Sequence, residues 1–399
     1  MEVTEQPKVR VPWRVIMLTN AAAVLPSGDV FRSEAIPTER EPVVVTFQTR
    51  YADVGHPQSL PHELIITVDL LAEDAEVALR EAGSIGSGIS AMLSFAVNAF
   101  VATPAPHVAF ESAVGLERRS FWQRQAQLRE PTTLTPSRLL DKELLYAFMS
   151  SVFASSEASR LIRAISQYQV ALSHWSTSGK PLALAHLYMA LEALGPVALR
   201  RQLARTGLEE KAYAESIGVN VARGNWKEVM LGWVRRDGLC EKDRTTYDAA
   251  RKASDGFEHA SMDLPTYRAA ANEHAPALLG YVRRGILDLL RVPEEQRKAL
   301  AEKGPIDISP LWHVVTGELF GDVADPDALA RNGDPYLAAD WTVSFEAVER
   351  LEDGRVRPSS RMNLELRHAD GVEITWLGFE MWVGLNDPDK FDHEPPASD

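Results

Sequence analysis

The chain has 399 residues, of which 45% are hydrophobic and 25% are charged, a composition typical of globular proteins. This length favours two or three domains. The single cysteine excludes an intramolecular disulfide and a thiolate metal cluster, and it fits a reducing compartment. The first residues lack the apolar core of a signal peptide, and the longest apolar stretch, residues 91–102, is too short to span a bilayer. We therefore expect a cytoplasmic protein that does not enter a membrane.

The formal net charge of −14 argues against a general nucleic-acid coat, but the charge is distributed unevenly. Residues 135–300 hold 23 basic and 19 acidic side chains, whereas residues 301–399 hold 8 and 21. The middle of the chain can therefore carry a local basic surface, and its acidic neighbour can shield that surface or bind a protein partner. Scattered, solvated charges would give the same counts.

The first third of the sequence predicts a mixed α/β module over residues 1–134. Segments rich in β-branched residues and bounded by Pro, Gly and Asp are typical of strands, and a stretch that begins with acidic residues is typical of a helix. We predict strands at 11–18, 42–51, 63–70 and 107–116 and a helix at 72–101.

The sequence GSIGSG inside this predicted helix raises the question of a phosphate-binding loop. No strand directly precedes it, its glycines do not follow the order GxGxxG, and no GK[ST] follows. We therefore expect Gly83, Gly86 and Gly88 to allow close packing of the helix instead.

The middle third predicts a helical bundle over residues 135–300. Apolar residues recur with a helical period, and the connections are short, which is the spacing of a bundle. Thr135 as N-cap and Pro136 as the first helical residue are expected to start the first helix. We predict helices at 135–153, 156–175, 180–204, 225–240, 242–260 and 266–292.

The last third alternates apolar and polar residues, which predicts a small antiparallel sheet over residues 301–389. EDG (352–354) and ADG (369–371) are typical hairpin turns. Residues 390–399 are acidic and contain proline, so we expect a disordered tail there. The three parts together predict the α+β class. The inner face of the sheet is expected to hold Trp341, Val343, Phe345, Leu364, Leu366, Ile374 and Trp376.

Candidate catalytic groups occur together in RKASDGFEHA, residues 251–260. Lys252 and His259 are seven residues apart and therefore share one face of a helix with Asp255, whereas Arg251 is offset by about 80° and can swing in. Cations stabilise the charge of a phosphodiester transition state, and histidine exchanges protons near neutral pH. These groups could act on a phosphodiester without a metal. The alternative is a solvated helix lined with i,i+4 ion pairs.

Glu192 lies beside the apolar stripe of the predicted helix 180–204. A carboxylate in that position is partly desolvated and needs a partner. The alternative is a boundary glutamate that reaches water.

Two segments carry a resemblance to a known family. ALAHLYMALEAL (183–194), followed further along the chain by YDAARKASDGFEHA (247–260), resembles the HEPN superfamily, in particular its Apea-like branch. In that family an apolar helix with an ALEAL core precedes a helix with arginine, four to six residues and then histidine. The resemblance covers residues 135–292. It implies a helical bundle that forms a homodimer, and many members are metal-independent ribonucleases whose Arg and His meet across the dimer.

The resemblance also implies a role for each candidate residue. His259 would act as general acid and base, Arg251 with Lys252 would stabilise charge, and Glu192 would orient one of these groups. Seven residues separate Arg251 from His259, and the cation with the family spacing is Lys252, which has no two-pronged guanidinium.

Three functions remain open at this point. The chain could be an RNA-directed ribonuclease in a stress or defence response, or a binding or assembly subunit with the same fold. It could also be a sensor that binds a small molecule through its N-terminal module.

The sequence predicts no metal site and no cofactor. His174 and His186 lie on different predicted helices, and DVADPDALARNGD (322–334) has neither the glycine nor the glutamate that a calcium loop needs at fixed positions. No GxSxG occurs, and Cys240 has no neighbouring histidine to act as a base.

Overall fold

Strands lie at the two ends of the chain and helices mainly in its middle, which confirms the α+β class. The computed structural model describes residues 9–33, 36, 40–52, 60–115, 117–124, 137–176, 178–258, 262–308, 311–320, 338–367 and 373–383. The strands are β1 Val11–Asn20, β2 Ala23–Val24, β3 Val30–Arg32, β4 Val44–Ala52, β5 Leu60–Ala72, β6 Ala105–Glu111, β7 Phe121–Gln123, β8 Ser137–Leu139, β9 Leu311–Phe320, β10 Ala338–Arg350, β11 Arg355–Arg367 and β12 Glu373–Val383. The helices are α1 Ala75–Val97, α2 Lys142–Phe153, α3 Ala158–Ser173, α4 Lys180–Thr206, α5 Glu210–Ser216, α6 Trp226–Trp233, α7 Arg244–Glu258, α8 Leu264–Leu289 and α9 Glu294–Ala301, and a π-helix, Val234–Leu239, continues α6.

The N-terminal strands form a six-stranded antiparallel sheet in the order β3–β4–β5–β1–β6–β7. Alternate residues of β1, Trp13, Val15 and Met17, are buried in the core, as expected when one face of a strand packs inward. The four strands and the helix predicted in this part of the chain are therefore confirmed.

Helix α1 is uninterrupted and includes GSIGSG, with Asp74 as its N-cap. Gly86 packs closely against the sheet, since a Cβ there would lie 2.7 Å from Cε of Met17. A Cβ at Gly83 or Gly88 would meet nothing within 4 Å. The prediction of close packing is confirmed for Gly86 and is wrong for the other two glycines.

The C-terminal half of α1 joins the sheet to the helical bundle. Phe95 stacks on Phe148 of α2, with 4.8 Å between ring centroids, and it meets Tyr168 of α3 edge-on at 5.2 Å. One continuous hydrophobic core therefore extends from the sheet through α1 into the bundle. This packing crosses the boundary that the sequence places between residues 134 and 135.

Three cations from separate parts of the chain surround the last carbonyl groups of α1. Positive charge is favoured at this end of a helix, where the carbonyl groups have no partner within the helix. Two of the cations are buried arginines, with exposed fractions of 1% and 2%, and a buried cation needs such hydrogen bonds. Arg138 donates to the Val97 carbonyl, Lys303 Nζ to the Ala96 carbonyl at 3.3 Å, and Arg283 Nη1 to the Phe95 carbonyl at 2.7 Å.

The bundle begins later than the sequence predicts. Residues 137–139 form strand β8, and α2 starts after Asp141, whose carboxylate accepts hydrogen bonds from two backbone N–H groups of the first turn, both at 3.0 Å. Such a cap satisfies N–H groups that have no partner within the helix. The prediction that Thr135 and Pro136 start this helix is wrong. The other five predicted helices are confirmed, and α5 and α9 are additional.

The last four strands lie in two separate ladders, where a single sheet was expected. β10 and β11 form a hairpin around the EDG turn, and β11 also pairs with β8, which pairs with β2. Both edges of β11 therefore have partners, and β12 pairs with β9 instead. Trp341 lies opposite Leu364 in the hairpin, whereas Ile374 and Trp376 lie in the other ladder. The ADG turn, residues 322–334 and residues 390–399 lie outside the described residues.

Candidate functional site

Helix α7 turns its predicted charged residues toward solvent. Arg251, Lys252 and Asp255 are exposed, whereas Tyr247 and Ser254 are buried on the side that faces the core. The amphipathic pattern of the sequence determines this orientation, because apolar residues on one side of the helix pack against α4 and α8. These three side chains are therefore accessible to solvent.

The charges on this face of α7 are not paired with one another. Arg251, Lys252, Asp248 and Asp255 make no ion pair with any other residue that the structure describes. Among the described charged side chains of α7, Arg244 at its start has an ion-pair partner, since its Nη2 lies 3.9 Å from Oδ1 of Asp237. The i,i+4 ion pairs of the alternative interpretation are thus not found in the described part of α7. His259, the proposed acid and base, lies outside the described residues.

Glu192 has a different partner from the one the resemblance implies. Its Oε1 accepts a hydrogen bond from Nη1 of Arg235 at 3.1 Å, and Arg235 also lies over the ring of Tyr188, with 6.0 Å to the centroid. Gly195 permits this approach, because a Cβ there would lie 3.2 Å from Cγ of Arg235. Glu192 is 52% exposed and Arg235 only 13%, so the glutamate is less desolvated than expected. The cation beside Glu192 is therefore Arg235 of the π-helix.

Glu192 also borders a cleft of about 310 Å³ between α3 and α4. An adjoining cleft of about 370 Å³ lies at the start of α3, and Arg160 and Arg163 line both. The two arginines are three residues apart and therefore lie on the same face of α3. The remaining residues of the first cleft are Gln167, Met189, Ala193 and Pro196.

An ion-pair network closes one end of this cleft. Glu157 accepts hydrogen bonds from Arg200, with 2.6 Å between Oε2 and Nη2, and from Nη1 of Arg160 at 3.3 Å. The hydrogen bond from Arg200 is the main reason why the pKa of Glu157 is below its ordinary value. Glu157 therefore stays ionised, and two arginines share its charge. Arg163 is exposed and has no ion-pair partner among the described residues.

Two histidines lie together beyond Gln167. The rings of His174, the residue that follows α3, and His186 of α4 stack with 6.0 Å between centroids. Nδ1 of His186 donates to Oε1 of Gln167 at 2.8 Å, and burial, followed by the charge of His174, lowers the pKa of His186. The two histidines, which the sequence predicts on different helices, are therefore neighbours in the fold. Within the described ranges, however, no group of three or more His, Cys, Asp or Glu could hold a metal ion.

Cys240 is not a candidate nucleophile. Its side chain is fully buried, and burial raises the pKa of its thiol to about 12. The reactive thiolate is therefore scarce at neutral pH.

Comparison with known proteins does not assign this chain to a family. No protein-family model matches it, and no match is found among curated proteins or solved structures. The resemblance to the HEPN superfamily stays a prediction.

Sequence reasoning missed the arginines of the cleft, although the pattern contained them. Arg160, Arg163 and Gln167 recur at helical spacing on the face of α3 opposite its buried stripe. What the pattern could not show is that α4 turns a second set of side chains toward them.

Helix α4 is long and apolar enough to cross a membrane by length and composition, and it is the only such helix in the part of the chain that the structure describes. In the fold, 67% of its most apolar window is buried inside the protein. A helix buried to this extent is typical of the core of a helical bundle.

Proposed function

We propose that this chain is a HEPN-like cytoplasmic protein that binds RNA as a homodimer and serves as a binding or assembly subunit in a stress or defence response. The observation that supports it most is the exposed pair Arg251 and Lys252 on α7, which has no ion-pair partner among the described residues. Unpaired cations on a helix face suit the phosphate backbone of a nucleic acid, since they release its counterions on binding.

The position of Glu192 favours binding over cleavage. In the ribonuclease hypothesis Glu192 orients a catalytic cation, but its carboxylate is held by Arg235. Catalysis requires that the reacting groups converge on one phosphate. A ribonuclease that uses Arg251 and His259 of two protomers is the second candidate, and it would have to work without Glu192 as the orienting group.

We predict that the double variant Arg251→Ala/Lys252→Ala binds RNA about tenfold more weakly than the wild type at moderate salt, because two phosphate contacts and the counterions they release are lost. The measurement is fluorescence anisotropy with a labelled single-stranded RNA at several salt concentrations. The slope of log K against log salt should fall by roughly 1.4 for two lost contacts.

The matched control is Lys211→Ala/Lys227→Ala, which removes the same charge from exposed positions on α5 and α6. Equal loss of affinity in both double variants would mean that α7 is not the binding surface. Cleavage of the RNA by the wild type, lost in His259→Ala while binding remains, would favour the ribonuclease.

A further inference from the structure

The cleft between α3 and α4 holds an excess of positive charge. Arg160 and Arg163 line it, and Arg160 shares Glu157 with Arg200 at one end. Its other carboxylate, Glu192, is hydrogen-bonded to Arg235. Arg200 makes two hydrogen bonds to Glu157, and Arg160 makes one. Among the described residues, nothing accepts a hydrogen bond from the five guanidinium donors of Arg163, and Arg160 uses one donor for Glu157. In a chain with a net charge of −14 such a local excess is suited to an anion.

The opposite wall of the cleft is apolar except for Glu192, which is hydrogen-bonded to Arg235. Met189, Ala193 and Pro196 of α4 face the arginines across it. Pro196 is inside the helix and fixes the local backbone, and methionine adapts its shape to a flat ligand. The volume of about 310 Å³ falls at the lower end of the range for small-molecule sites.

Gln167 adds a polar group between the charged end and the apolar wall. Its Oε1 is occupied by the hydrogen bond from His186 Nδ1, which fixes the orientation of the amide. Its two amide N–H groups have no acceptor among the described residues, so this part of the cleft also favours an acceptor oxygen.

We propose that this cleft binds a small organic anion, in which a carboxylate or phosphate group is joined to an apolar ring. The anionic group is bound by Arg163 and Arg160, since a guanidinium matches two oxygens of either anion. The ring packs against Met189, Ala193 and Pro196. The site goes beyond the proposed function, because it lies on α3 and α4 and requires no RNA on α7.

Isothermal titration calorimetry of the full chain with phenyl phosphate and with benzoate tests the proposal. We expect saturable binding of at least one of them, and the stronger ligand identifies the preferred anion. Inorganic phosphate and phenol, which carry only one half of the ligand each, should bind more weakly. Arg163→Ala should weaken binding about tenfold, as expected for one lost charge-assisted hydrogen-bond pair.

Arg80→Ala is the control, because Arg80 is also an exposed helical arginine without an ion-pair partner among the described residues. It should bind both probes like the wild type. The proposal is overturned if neither probe binds at millimolar concentration, if Arg163→Ala binds unchanged, or if Arg80→Ala weakens binding equally. Because Arg163 is exposed, circular dichroism of its variant should match that of the wild type.

Discussion

Lys303 donates one hydrogen bond to the carbonyl of Ala96 at the end of α1, and Arg283 and Arg138 lie near it. Burial, followed by repulsion from Arg283 and then Arg138, lowers the pKa of Lys303 to about 8, from an ordinary value of 10.5. Burial also lowers the pKa of Arg138, to about 10, so Lys303 releases its proton before Arg138 does as pH rises. The cluster therefore makes stability depend on pH.

We predict that the free energy of unfolding rises between pH about 8 and about 10.5 because of Lys303. Across this window the unfolded chain holds the proton and the folded chain does not, so higher pH favours folding. Below pH 8 Lys303 is protonated in both states, and the folded state carries the full free-energy cost of the buried charge. The gain is on the order of 1–3 kcal/mol. Urea unfolding at a series of pH values measures it.

Lys303→Met provides the comparison, since it keeps the length of the side chain and removes the charge. The difference in unfolding free energy between this variant and the wild type should shrink as pH rises through the window. A difference that is constant from pH 7 to 10.5 would show that Lys303 titrates normally.

The sequence predicts which of the candidate residues are exposed, but it does not predict which residues they contact. The exposed positions of Arg251, Lys252 and Asp255 follow from the amphipathic pattern of α7 alone. The pairing of Glu192 with Arg235 joins residues 43 positions apart in the sequence and depends on how the π-helix packs on α4. No local pattern carries that information.

At the scale of elements, α1 contains a matched pair of glycines. Both lie inside the helix, but a Cβ at Gly86 would lie 2.7 Å from Met17 Cε and 2.9 Å from Pro104 Cγ, whereas a Cβ at Gly83 has open space. Alanine is the better helix former at both positions. Packing alone therefore decides whether each substitution raises or lowers the free energy of unfolding.

We predict that Gly86→Ala lowers the free energy of unfolding by about 1–3 kcal/mol through overpacking. Gly83→Ala should raise it by up to about 1 kcal/mol, because alanine restricts the unfolded chain and favours the helix. Thermal or urea denaturation of the two variants tests the predicted destabilisation and the predicted stabilisation. Stabilisation by Gly86→Ala would mean that Met17 and Pro104 move aside without cost.

Long periodic elements were predictable and short ones were not. The helices α3, α4 and α8 each repeat their apolar residues over several turns, and the sequence therefore predicts them. Strand β8 has three residues, and its partners are β2 and β11, far away in both directions along the chain. A strand that is defined only by distant partners leaves no local signal, and the helix start at Thr135 was misplaced for this reason.

At the scale of the whole molecule, the sheet and the bundle share one hydrophobic core. Phe95 on α1 contacts the rings of α2 and α3, and the guanidinium of Arg283 on α8 lies 4.5 Å from its centroid. The strands of the sheet pack on the same helix. Two parts joined in this way should unfold together.

We predict that Phe95→Ala lowers the free energy of unfolding by about 4 kcal/mol, as expected for loss of a buried ring. Amide hydrogen exchange followed by mass spectrometry should show the same decrease in protection for β1 and for α3. Phe31→Ala, which removes a ring that stacks on Phe47 within the sheet, is the comparison. If Phe95→Ala loosens only the bundle, the sheet and the bundle are separate cooperative units.

The chain's single thiol has a practical consequence. Cys240 is shielded from solvent, and its high pKa makes it inert toward alkylating reagents at neutral pH. A cysteine introduced on the solvent side of α7 would thus be the one reactive sulfur, with no need to replace the native residue. A spin label attached there would report the spacing between two copies of α7 directly, and this spacing decides whether groups from two protomers can reach a common phosphate.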